Sequence, residues 1–189
     1  MILCGLYIYI LHSMTKKIQL DRKECDRLTS LDDQKLLSEL TERTLDLVGG
    51  ALTAETMGHL SADQITLIAY YMMRGEVLEG GFIQLIHNGY GPFIFENPLA
   101  KALNQWGLRD LRNKLYDVRR LYEKTKDGLT GDCSDSEFMA LYEKYERYDD
   151  YDDDFVECEP EYTSQIASYL REHINNFVLL TDTDAGDKQ

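Results

Sequence analysis

An all-α fold, a single compact domain of about six or seven helices, is predicted for this chain by three observations. Apolar residues recur at intervals of three and four through each long segment, the period of a buried helix face. Capping residues and paired glycines bracket those segments as start and stop signals. No run outside the first thirteen residues reads as a strand. The 189 residues suffice for one domain, and a hydrophobic share of 43% supplies its core.

Residues 1–13, MILCGLYIYILHS, are apolar and uncharged. A signal peptide carries positive charge before its apolar run and a small-residue cleavage site after it. Here Lys16 and Lys17 follow the run, so the expectation is a start at Met14, with 1–13 a mis-assigned start or an apolar extension. Residues 14–60 form an amino-terminal helical segment, 61–180 the main helical domain and 181–189 a polar tail. Asp21 to Asp33 is a connector or short helix. A helix follows from Asp33 to Val48, with Leu36, Leu37, Leu40, Leu45, Leu47 and Val48 inward and Gly49-Gly50 as its stop. Ala51 to Leu60 is a loop or a helical turn. Ser61 and Gln64 form a capping box that opens a helix to about Leu78, its face Ile65, Ile68, Ala69 and Met72.

Gly80-Gly81 breaks or bends the chain, and Phe82, Leu85 and Ile86 resume helical spacing up to His87. Gly89 to Pro92 is a loop. Asn97 caps a short helix with Pro98 in its first turn and Leu99, Ala102, Leu103 and Trp106 inside. Arg109 to Lys126 is a basic helix with Leu111, Leu115, Val118 and Tyr122 buried, and Asp127 to Cys133 is a loop. A second capping box, Ser134 and Glu137, opens an aromatic and acidic helix. Its rings are Phe138, Tyr142, Tyr145, Tyr148, Tyr151 and Phe155, on one side by spacing. Pro160 sits at or near the first turn of a last helix, Tyr162 to Phe177, with His173 inward beside Ile166, Tyr169, Leu170, Ile174 and Phe177.

The net charge is −14 and the pI about 4.6. Such a surface repels nucleic acid and anionic membranes and attracts basic partners, so direct nucleic-acid binding is not expected. No run approaches the ~20 apolar residues of a membrane span. Cys4, Cys25, Cys133 and Cys158 have neither metal-finger nor redox spacing, which points to free thiols and a cytoplasmic protein.

Much of the excess charge is concentrated. From Asp132 to Glu161 there are 13 acids against two bases, Lys144 and Arg147. Glu143, Glu146, Asp149, Asp150, Asp152, Asp153, Asp154, Glu157, Glu159 and Glu161 are the candidate partner-binding residues. A helix rises ~1.5 Å per residue. Eight acids among thirteen residues therefore approach the linear charge density of duplex DNA, about one per 1.7 Å. The bland alternative is a solvated face, but a solubility role is met by dispersed charges without this mutual repulsion. Asp150, Asp152, Asp154 and Glu161 fit positions of a calcium loop, yet Phe155 stands where its turn needs glycine, so no metal site is expected. No catalytic residue and no cofactor are expected either, since no converging set of groups is visible. A pocket could be lined by Glu76, Glu79, Gln84, His87 and Asn88, although His87 has no nucleophile or carboxylate at a telling spacing, and a structural hydrogen bond to the loop is its favoured role.

Gly75 to Gly91, GEVLEGGFIQLIHNGYG, resembles the Gly-Gly-Phe core of a bacterial family that includes a DNA-mimic protein. Phe138-Met-Ala-Leu-Tyr142, Asp154-Phe-Val-Glu157, Ile166-Ala-Ser-Tyr169 and Glu172-His173 resemble its carboxy-terminal half. The likeness runs from about Leu60 to Phe177 and makes 61–180 a DNA-mimic-like domain. It implies an all-helical fold and, from the mimic member, a homodimer whose acidic surface imitates duplex phosphates and holds a helix-turn-helix repressor off its operator. Asp149, Asp150, Asp152, Asp153, Asp154, Glu157, Glu159 and Glu161 match the family's acidic run in kind. Lys144 and Arg147 interrupt it, and the basic helix could neutralise part of it.

The expectation is therefore a non-enzymatic acidic protein that sequesters a basic, DNA-binding regulator. One alternative is an immunity or antitoxin-like protein masking a basic toxin or nuclease, for which the same acids would serve. The other is a small-ligand-binding or enzymatic domain centred on Glu76 to Tyr90.

Overall fold

The computed structural model describes residues 15–181, so the expectations for 1–13 and for the tail beyond Thr181 lie outside the described residues. The class is all-α. Nine α-helices, two 3-10 turns and two three-residue strands make up the described chain. They form two compact units, one of residues up to Ile68 together with Ala167 onward, the other Ala69–Ile166.

The first unit contains the strands β1 (Ile18–Leu20) and β2 (Val178–Leu180), paired in parallel with Ile18 opposite Val178. Strands of three residues are too short to show a period, which is why the sequence reads as strandless there. Helix α1 (Arg22–Thr29) is capped by Asp21 and α2 (Asp33–Asp46) by Asp32. Leu28, Leu36 and Leu40 are fully buried. Arg171 ties this unit together. Its guanidinium donates to the carbonyls of Thr29 (3.0 Å) and Leu31 (2.8 Å) and pairs with Asp33 (2.8 Å). A short α3 (Ala54–Met57) forms in the stretch read as a loop or turn. His173 is a correction: it is exposed rather than packed in the core, and stacks on Tyr169 at 4.1 Å.

Helix α4 (Ala62–His87) opens at the Ser61–Gln64 capping box and runs through Gly80-Gly81 with non-helical backbone at both. Gly81 has φ +72° and ψ −176°, a region open almost only to glycine. Phe82, directly after the bend, is 2% exposed and packs on Phe95 (6.3 Å) and edge-on to Phe155 (6.1 Å). Helix α5 (Gly91–Phe95) replaces the expected loop, with Pro92 in its first turn. Helix α6 (Leu99–Gln105) has no side-chain cap. Asn97 turns back instead, its amide donating to the carbonyls of Phe93 (3.2 Å) and Pro92 (3.4 Å). Helix α7 (Arg109–Leu129) buries Leu111, Leu115, Val118 and Tyr122, as their spacing predicts.

The aromatic and acidic stretch is two helices, α8 (Asp135–Lys144) and α9 (Asp149–Glu172), joined by a 3-10 turn at Glu146–Tyr148. The steps of three from Tyr142 to Tyr151 fit a 3-10 turn better than an α-helix. Tyr148 and Phe155 are buried, while Phe138, Tyr142, Tyr145 and Tyr151 are half-buried. Pro160 lies inside α9 rather than at a helix start. Its missing N–H leaves the carbonyl of Val156 without its helical donor, at a point where both Pro160 and Val156 are exposed.

Candidate acidic interface

The inner side of α9 decides which acids face outward. Tyr148, Phe155, Tyr162 and Ile166 are buried, and any acid at a helical step from them is carried inward too. Glu159 is 6% exposed. Arg74 of α4 donates to it at 2.5 Å, and so does the Thr163 hydroxyl at 2.5 Å, which in turn takes a hydrogen bond from Tyr70 (3.2 Å). Glu159 is thus one end of a buried polar chain and cannot belong to a partner-binding surface, a correction to its place among the candidates.

Asp152 also turns inward. Its carboxylate accepts from the backbone N–H of Phe82 at 2.8 Å, the donor freed by the bend at Gly80-Gly81. It therefore caps the second half of α4 as an N-cap residue would. Tyr142 supports the same bend, donating its hydroxyl to the Gly80 carbonyl at 2.8 Å. Burial pushes the Asp152 carboxyl up to about 7, the neighbouring Asp149 and Asp153 add to the rise, and the Phe82 N–H opposes it. The folded state then holds this proton more tightly than the unfolded chain does. Its contribution to stability is full below about pH 4 and is lost as pH rises through about 7. Asp152→Asn keeps an acceptor for Phe82 and removes the charge. We expect it to stabilise the protein by on the order of 2 kcal/mol at pH 8, after allowing for partial exposure, and by nothing at pH 4. Urea unfolding at the two pH values checks this.

Asp154 is half-buried and paired with Lys114 of α7 at 2.8 Å. This is the one ion pair among the described residues from the basic helix to the acidic bank. Three other α7 bases pair outside the bank: Arg119 with Glu123, Arg120 with Asp117, Lys126 with Glu96. The basic helix therefore leaves most of the bank uncompensated.

What remains exposed is Glu143, Glu146, Asp149, Asp150, Asp153, Glu157 and Glu161. None of these has an ion-pair partner among the described residues; Glu161 accepts from the Gln165 amide at 2.9 Å. On α9, Asp150, Asp153, Glu157 and Glu161 follow steps of three, four and four, which align them along one face. With Asp149 they give about one exposed carboxylate per 4 Å of helix. That is close to the density of one DNA strand, about one charge per 3.4 Å, and about half that of the duplex. Residue counting overstated the density because it could not see Asp152 and Glu159 turned inward or Asp154 paired with Lys114. Lys144 sits over the Tyr145 ring at 5.0 Å, and Arg147 is exposed within the bank.

The five residues proposed for a pocket separate into two groups. Glu76 accepts from the amides of Asn88 (2.8 Å) and Gln84 (3.3 Å), and Glu79 is exposed. His87 turns away to the Leu129 carbonyl (3.1 Å) and the Phe138 ring (4.7 Å). A cavity of about 210 Å³ lies elsewhere, lined by Arg109, Lys114, Cys158, Glu161 and Tyr162 among others. Asp150 to Glu161 is continuous helix, so the calcium-loop geometry is absent. Among the described residues no group of three or more His, Cys, Asp or Glu is placed to hold a metal ion. No helix among them is long and apolar enough to cross a membrane.

Residues 58–173 match the model of a family described as DMP19-like protein, a span that includes α4 to α9 and hence the Gly-Gly bend, the basic helix and the whole acidic face. A curated relative, DNA mimic protein DMP19 of Neisseria meningitidis serogroup B, is 44% identical over 70 residues. That match covers 37% of this chain and 42% of the relative's length. With most of its length matched by the family model, the chain belongs to the DMP19-like protein family.

Proposed function

We propose that the exposed acids of α8 and α9 form a DNA-mimicking surface. Through it this chain binds a basic DNA-binding protein, a helix-turn-helix transcription regulator in the first instance, and keeps it from DNA. The observation that carries this reading is the row Asp150, Asp153, Glu157 and Glu161, exposed, without ion-pair partners among the described residues and aligned on one helix face. The exposed acids of α9, taken along the helix, are spaced much as the phosphates of one DNA strand are, which fits a groove built to take phosphates. Its binding should be governed by counterions and by long-range attraction, hence fast and salt-sensitive. The relative's name, a DNA mimic protein, supports the same reading.

The test uses purified helix-turn-helix regulators from the source organism and their operator duplexes. The comparison is wild type against a variant carrying Asp149→Asn, Asp150→Asn, Asp153→Asn and Glu157→Gln. Asp152, Asp154 and Glu159 are left intact because each is engaged with a partner inside the fold. The expected result is a regulator bound by wild type about tenfold or more tightly at 0.05 M than at 0.5 M salt, displaced by its own operator, and bound at least tenfold more weakly by the variant. Equal binding by wild type and variant, or a complex indifferent to operator DNA, would overturn the proposal.

A further inference from the structure

His87 and Cys133 are 46 residues apart in sequence and meet where three helices end or begin. His87 is the last residue of α4, Leu129 the last of α7, and Cys133 precedes Ser134, the N-cap of α8. The His87 Nδ1 lies 3.1 Å from the Leu129 carbonyl oxygen. A carbonyl only accepts, so Nδ1 is the donor there, and in that tautomer Nε2 is the acceptor nitrogen. That Nε2 lies 3.9 Å from the Cys133 sulfur. The Phe138 ring, 4.7 Å from the imidazole, holds its plane and is itself held edge-on by Tyr142 at 5.5 Å.

We infer that Cys133 is a reactive thiol, with His87 as its base and the Leu129 carbonyl as the group that orients the base, and that it is a site of modification by small-molecule disulfides. A nucleophile, a base in reach and a third group fixing that base form the arrangement by which weak nucleophiles are activated. Cys133 stands one residue before the N-cap of the ten-residue α8. Cys133 is exposed, so a reagent reaches it. The other described thiols lack this setting: Cys25 is buried, and Cys158 receives an N–H of Lys114 at 3.2 Å. The inference is independent of the acidic face, which uses neither residue.

In the step itself, Nε2 takes the proton of the Cys133 S–H, and the thiolate attacks one sulfur of the reagent. The reagent's S–S bond breaks as the new one forms. The departing thiolate takes the proton from the imidazolium and leaves as a thiol. One thiol is consumed and one released, and the reagent disulfide is the only oxidant. Asp132 and Asp135 are exposed and close to Cys133 in sequence, and Glu137 accepts from the Ser134 N–H at 2.8 Å, a negative setting that favours neutral or cationic disulfides over anionic ones.

The test is the reaction of the full chain with 2,2′-dithiodipyridine, a neutral disulfide, with the modified residue assigned by mass spectrometry after short exposures. At pH 7 native Cys133 should react about tenfold or more faster than in His87→Gln, and faster than the same cysteine in guanidine-unfolded wild type. The gap between wild type and variant should close near pH 10, where ordinary thiols ionise without help. Equal rates at pH 7, a native rate no higher than the unfolded rate, or a gap that persists at pH 10 would each overturn the inference. The last outcome would mean that His87 alters access rather than acting as a base.

Discussion

Gly81→Ala should lower the stability of this protein by about 3 kcal/mol or more, while Gly80→Ala beside it costs about 1 kcal/mol or less. At Gly81, φ of +72° with ψ of −176° puts an added side chain in a strained region, worth about 1–3 kcal/mol alone. The new Cβ would also lie 2.3 Å from Oδ2 of Asp152. That carboxylate cannot move away without leaving the Phe82 N–H, so strain, clash and loss of a cap coincide. At Gly80 φ is negative, and the nearest obstructing atoms, Oε1 and Cδ, belong to the far end of the Gln84 side chain, which can turn aside, leaving a tight contact with the Gln84 Cβ at 3.0 Å. For a chain of this size the difference is a fall in melting temperature on the order of 10 °C for Gly81→Ala. Thermal and urea unfolding of the two variants check it, and equal costs would show that the bend is not what holds Asp152.

Arg74→Met should cost about 3–5 kcal/mol, because Glu159 at 6% exposure is left charged and buried with only Thr163 beside it. The double variant Arg74→Met, Glu159→Met should recover most of that loss, since two apolar side chains can fill the space of a buried ion pair. Recovery in the double variant, measured by urea unfolding as a double-mutant cycle, separates a penalty for a stranded charge from simple loss of packing. The contrast with the exposed acids is direct. Neutralising Asp149, Asp150, Asp153 and Glu157 removes mutual repulsion at no packing cost, so those changes should affect partner binding and leave stability equal or higher.

The helical class was legible in the sequence because it rests on period and punctuation. Leu111, Leu115, Val118 and Tyr122 mark a buried stripe by spacing alone, and Ser134 with Glu137 starts α8 through atoms three residues apart. Such signals are local, and the chain carries them wherever it goes. The concentration of charge between Asp132 and Glu161 was legible for the same reason, as was the importance of Gly80-Gly81-Phe82 to the architecture.

Only the tertiary structure decided which acids face water. Asp152 and Asp153 are the same residue type side by side. One caps a bend 70 positions away in sequence and the other lies exposed, because a helix turns about 100° between them. The pairing of β1 with β2 and the meeting of His87 with Cys133 were likewise invisible. Composition and period determine that this chain is helical and where its negative charge is concentrated. The assignment of each carboxylate to cap, buried pair or open face depends on partners distant in sequence, and the packing of α9 against α4 and α7 brings those partners to it.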